Sequence, residues 1–206
     1  MEEKLLICLI IDPNSFLHMK NAPASEYWLR GPVPGIPPLL QPVAHALLQA
    51  REEVNDLMTG FPAQRLGDRP AGLASPAFHL QHLSGVLDRL FTYAEGGMLN
   101  QQQLSDLVGE GRDRRGGEGT SGPGGETLHE GLERFNKQID KALQQLSRTP
   151  ERALTEPRAV GRDRIPSTLI GLLFHAAEHT MRHTGQLLVT TRILRAWPDS
   201  GNRLEQ

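Results

Sequence analysis

The chain is short of several things, and each shortage narrows what it can be. Among 206 residues there is one cysteine, Cys8, so no disulfide can close within the chain and nothing argues for an oxidising compartment. Charge of one sign is missing too: the formal net charge is −2, which leaves no global basic surface for nucleic acid. A local group, Arg112, Arg114 and Arg115, sits among acids and glycines and reads as a solvated loop. No apolar run reaches the roughly 18–20 residues that a membrane span requires. LLICLII at 5–11 resembles the core of a signal peptide, but acidic MEEK precedes it, the run is short, and no small-residue cleavage site follows. These absences predict a cytoplasmic chain with no membrane or nucleic-acid partner. Residues 1–24 are expected to form an extension outside the core, and 198–206 a tail.

No internal repeat is visible, which excludes solenoids. What is present is helical periodicity. GPVPGIPPLL (31–40) is a rigid lead-in whose prolines, with Pro42, suit a helix start, where a missing N–H costs little. Leu39, Leu40, Val43, Leu47, Leu48, Val54 and Leu57 then recur at helical spacing, predicting a helix over 38–59 that Gly60 and Pro62 end. Ser75-Pro76 signals the next start, with the helix running to about Tyr93 and stopped by Gly96-Gly97. A short helix is expected at 101–108. Residues 109–125, GEGRDRRGGEGTSGPGG, read as a flexible linker. They lack the lysine of a phosphate-binding loop and follow no strand. Leu128, Leu132, Phe135, Ile139, Leu143 and Leu146 predict a helix over 126–147. Residues 148–165 read as a loop with room for a short hairpin, and Pro166-Ser167 as the start of a last helix over 166–196. The fold class is therefore all-α. Four long amphipathic helices, with a long connection between the second and third, predict a four-helix bundle spanning about 25–197.

The candidate chemistry lies in histidine. Of eight, five fall in two windows: His79 and His82 in the second long helix, and His175, His179 and His183 in the last. His18, His45 and His129 are scattered and read as structural or exposed. In HAAEHTMRH (175–183) the histidines recur every four residues, so each turns about 40° from the one before and all share one side of the helix. The apolar arc set by Leu169, Leu172, Leu173, Ala176, Leu187 and Leu194 places His179 and His183 inside it and His175 at its edge. On the other helix Leu83, Val86, Leu87, Leu90 and Phe91 place His79 inside the core arc and His82 on its border. Burying an unsatisfied imidazole costs a few kcal/mol. A divalent ion that collects several lone pairs removes that cost, and bundle interiors are a common place for such sites. Three neutral imidazoles with an open position suit zinc, nickel or iron. Two rival metal motifs fit poorly. HAAEH (175–179) matches the H-x-x-E-H string of inverted zinc proteases, but only 27 residues, with few acids, follow to supply another ligand. A di-iron bundle needs a Glu-x-x-His pair on each of two helices, and the sequence has a single such string, Glu126 to His129.

FHLQHLSGVLDRLFTYAEG (78–96) together with HAAEHTMRHTGQL (175–187) resembles the DinB-like superfamily of metal-binding four-helix bundles, over most of residues 25–196. The resemblance implies three ligands, His82, His179 and His183. His79, His175 and Gln186 become supporting or substrate-side candidates, and Gly185 a point where a neighbouring helix could approach. Family members often carry His-His-Arg-Gly-Gln where this chain has Arg182-His183-Thr184-Gly185-Gln186, a change that touches the substrate side and leaves the ligand positions intact. The resemblance further implies one divalent metal ion, a low-molecular-weight thiol as cofactor, and an S-transferase or isomerase activity on a small molecule. In that chemistry the metal favours the thiolate, which is presented to an electrophile. Homodimers are common among such bundles. The competing reading is a non-catalytic, stress-related protein that binds a metal or small molecule.

Overall fold

The computed structural model describes residues 25–114 and 126–196. Cys8, LLICLII, His18, the second half of the glycine-rich segment (115–125) and the C-terminal tail lie outside the described residues. The described chain is mostly helical and carries one small sheet: α1 (Gln41–Met58), α2 (Pro76–Ala94), α3 (Gln101–Arg114), α4 (Leu128–Arg148), β1 (Pro157–Val160), β2 (Ile165–Thr168) and α5 (Leu169–Ala196).

Local chemistry accounts for the boundaries. The proline-rich lead-in makes a 3-10 turn at Pro38–Leu40 that runs into α1. Gln41 ties this turn down: its Oε1 accepts from the Val33 N–H at 2.7 Å, and its Nε2 donates to the carbonyls of Val33 and Ile36. The Ser75 hydroxyl oxygen accepts from the Phe78 N–H and caps α2, with Pro76 in the first turn. Gly96, at φ 83°, supplies the left-handed residue just past the other end of α2. Thr127 and Glu130 form a reciprocal capping box at the start of α4. Thr127→Ala should lower stability by about 1 kcal/mol, read as a lower urea midpoint at unchanged slope.

The four long helices share one core. α5 packs on α1 and α2, and α4 packs on the other sides of the same two helices. Phe135, Ile139 and Leu146 of α4 meet Leu47 of α1, Leu83 and Leu87 of α2, and Leu173 and Leu187 of α5, all almost fully buried. Asn55 and Asn136 exchange amide hydrogen bonds of 2.8 and 3.1 Å where α1 meets α4. Among the described residues no helix is long and apolar enough to cross a membrane.

Three expectations need correction. The last helix does not begin at Pro166-Ser167. Those residues lie in β2, which pairs antiparallel with β1 in the register Val160↔Ile165. The cap is Thr168, whose hydroxyl accepts from the Gly171 N–H, and Leu169 and Ile170 donate to the carbonyls of Glu156 and Leu154. Proline at 166 thus sits in a short two-stranded ladder, an edge position where its missing N–H is tolerated. Secondly, the helix expected at 101–108 continues through residues 109–114, which had read as linker and solvated loop. Gly109 and Gly111 disfavour helix by about 1 kcal/mol each; a buried tertiary contact from Glu110 offsets that cost. Thirdly, Leu39 is 63% exposed, because the 3-10 turn rotates it away from the core that Leu40 enters.

Candidate metal centre

α2 and α5 cross so that their two histidine windows face each other. His79 and His82 come from the first turns of α2, held there by the Ser75 cap. His179 and His183 stand one turn apart on α5. One ligand nitrogen each from His82, His179 and His183 can be chosen so that all lie within 4.8 Å of one another. The ring centroids are 4.3 Å apart for His82 and His183, 4.6 Å for His179 and His183, and 5.3 Å for His82 and His179.

The nitrogens meet nitrogen to nitrogen. His82 Nε2 lies 3.0 Å from His179 Nε2, and His183 Nδ1 lies 3.4 Å from His79 Nδ1. His179 Nδ1 is buried with no hydrogen-bond partner. Two neutral imidazoles can share one N–H···N bond, and no more, at such a contact. The charged forms are disfavoured. Burial, aided by His82, pushes His79 down to about 4. Burial, then His82, His175 and Arg182, holds His179 at about 4 against the opposing pull of Glu178. Burial and the neighbouring histidines push His183 down to about 3. At neutral pH His79, His179 and His183 are therefore uncharged nitrogen donors, one nitrogen of His179 orphaned, gathered with His82 within a few ångströms. That is a donor set suited to a borderline divalent cation.

The cluster lies at the wall of a cleft of about 880 Å³ lined also by Leu73, Phe78, Val189, Arg69 and Arg182, with no carboxylate among its lining residues. Phe78 stacks on His82 with ring planes 11° apart, fixing one face of that imidazole. Arg182 is tied along its own helix to Glu178.

Placement differs in detail from the wheel reading. His79 is the deepest, 2% exposed, and His82 is half-buried, in the order the wheel implied. His179 and His183 are half-buried rather than interior, because Thr180 and Thr184 occupy the centre of the buried face and satisfy their hydroxyls on the carbonyls of Ala176 and Thr180. His175 stands outside the cluster: its side chain is 52% exposed and its nearest charged neighbour is Glu178 at 3.7 Å. Gly185 admits no neighbouring helix. It is exposed on the cleft, and a Cβ there would meet nothing within 4 Å. Gln186 also lines the cleft. His45 bonds the Gly31 carbonyl, and exposed His129 pairs with Glu133.

Sequence reasoning missed the support beneath His82. The Glu110 Oε2 accepts from His82 Nδ1 at 2.9 Å, and both Glu110 oxygens accept from Arg89, at 2.6 and 2.9 Å. Glu110 and Arg89 are 4% and 7% exposed. Burial alone would raise the Glu110 carboxyl, but the hydrogen bonds from His82 and Arg89 and the charges of both hold it below the usual carboxylate range. A signal was available: His82, Gly85 and Arg89 form an i, i+3, i+7 stripe, and an arginine bordering a core requires an acid.

A mostly helical protein whose two packed helices gather three imidazoles beside a cleft belongs to the class of helical proteins with a donor set able to hold a divalent ion. A family model described as the DinB superfamily matches residues 46–187, a span that includes His79, His82, His175, His179, His183 and Glu110. The chain belongs to the DinB superfamily. No curated protein matches it.

Proposed function

We propose that this chain is a metal-dependent DinB-type four-helix bundle in which His82, His179 and His183 hold one divalent ion, zinc, nickel or iron, and that it acts as a thiol-dependent S-transferase or isomerase on a small molecule. The observation that carries the reading is the convergence of three half-buried imidazoles from two helices at a cleft large enough for a small-molecule ligand. Imidazole nitrogens suit such an ion, and the depressed basicity of His179 and His183 keeps them available as donors at neutral pH. When bound, the ion supplies a local positive charge that favours the thiolate form of an incoming thiol near pH 7. The chain's own part is to bind and orient. Phe78 and Leu73 give the cleft an apolar wall that excludes water from one side of His82. Arg69 and Arg182 also line the cleft, Arg182 paired with Glu178 on its own helix. The thiol is taken to come from outside the chain, since the described residues that line the cleft include no cysteine.

The test is thiol consumption. Metal-replete protein should consume glutathione, bacillithiol or mycothiol in the presence of an electrophile such as monochlorobimane, with the metal-stripped protein inactive. Metal uptake with no turnover of any of the three between pH 6 and 9 overturns the transferase reading and leaves a metal-binding or small-molecule-binding protein.

A further inference from the structure

We propose that Glu110, reaching in from α3, is the positioning residue that sets the proton and the orientation of His82, and that Gly85 exists to admit it. The inference rests on the metal reading above and goes beyond the three-histidine set.

The geometry is specific. Glu110 is a buried carboxylate with every contact used: Oε1 takes one Arg89 N–H, and Oε2 takes the second together with His82 Nδ1. A carboxylate only accepts, so the imidazole must carry its proton on Nδ1. That leaves the Nε2 lone pair aimed at His179, the direction in which the donor set converges. A carboxylate behind a ligand histidine fixes the ring and raises its donor strength. The bidentate Arg89 holds the carboxylate and offsets its charge.

Independent support comes from α2. A Cβ on Gly85 would fall 2.1 Å from Glu110 Oε1 and 2.7 Å from Arg89 Nη1. The carboxylate occupies the space that any side chain at this position would fill. Glycine in a helix interior is disfavoured relative to alanine, and here that cost has a visible use. α3 itself leaves Leu104, Leu107 and Val108 exposed. It is fastened to α2 by two buried polar residues: Gln103, whose Nε2 donates to Asp88 and Thr92, and Glu110.

The experiment compares the full chain with E110Q, E110A and G85A. Zinc affinity is measured by competition with a chromophoric chelator, cobalt coordination by its visible spectrum, and the His82 tautomer by imidazole 15N shifts in metal-free protein. Helical content is checked by circular dichroism. The wild type should show His82 protonated on Nδ1. E110A should bind zinc roughly 10–100-fold more weakly, and E110Q, which keeps the volume but not the charge, should fall between. Gly85→Ala should mimic E110A although it raises helix propensity. A clamp that only pins α3 would leave the zinc affinity and cobalt spectrum of folded E110Q unchanged; affinities within twofold of wild type in folded E110Q and G85A overturn the proposal. If the wild type takes up no divalent ion, the metal reading fails separately. The tautomer then still decides Glu110, because a metal-free His82 protonated on Nε2 overturns its assignment.

Discussion

His183→Ala and His179→Ala should each lower divalent-metal affinity on the order of a hundredfold to a thousandfold, because each removes one of three nitrogen donors and leaves too few to hold the ion against water. His82→Ala should do the same. His175→Ala should change affinity little: the side chain is exposed and stands outside the cluster. His79→Ala should have an intermediate effect, since His79 Nδ1 touches His183 at 3.4 Å and restrains that ring. Chelator competition on metal-stripped, reloaded proteins measures all five. The ligand assignment fails if His79→Ala abolishes binding while His82→Ala leaves it intact. The fold should survive the three ligand substitutions, because the affected side chains are half-buried at a cleft wall rather than packed in the core.

The second large effect is on the metal-free protein's response to acid. His79, His179 and His183 have native pKa values of about 4, 4 and 3, all below the ordinary histidine value. Unfolding releases them to about 6.5. Above that pH neither state binds these protons, and stability is at its full value. Below it the unfolded chain takes up protons that the folded chain refuses, so stability falls as pH drops from about 6.5 to about 4 for His79 and His179 and to about 3 for His183. His79, the one fully buried member, contributes about 2 kcal/mol of this loss between pH 6.5 and 5. The urea midpoint of metal-free protein should therefore decline steadily from pH 7 to 5, and His79→Leu should flatten the decline. Metal-loaded protein should resist further into acid and then fail steeply, because three donors compete with protons together. A midpoint that stays level from pH 7 to 5 in metal-free protein would contradict the buried, neutral state assigned to His79.

Much of the fold was legible in the chain because its signals are local. Ser75-Pro76 and the apolar period through Phe91 located α2, and Leu128 through Leu146 located α4, since caps and a 3.6-residue period act within a few residues of themselves. The start of α5 was misplaced because Pro166 has the chemistry of both a first helical turn and an edge strand. Only pairing with β1 decided between them. Helix α3 was cut short for a related reason. Gly109 and Gly111 argue locally for linker, and the contact that keeps them helical comes from Arg89 and His82, more than 20 residues away.

The candidate site divides in the same way. The four-residue spacing of His179 and His183 puts them on one side of a helix whatever surrounds it, so that half of the cluster is a property of the sequence. Which α2 histidine meets them, at what depth, and with which nitrogen forward are set by how α2 crosses α5 and by where α3 delivers Glu110. Helical wheels fix angle about an axis; they carry no information on the crossing of two axes or on a carboxylate arriving from a third helix. The sequence therefore determined the helices and the presence of the donors. The tertiary structure alone decided their convergence, because the contacts that orient His82 join residues far apart in the chain and form only when three helices pack.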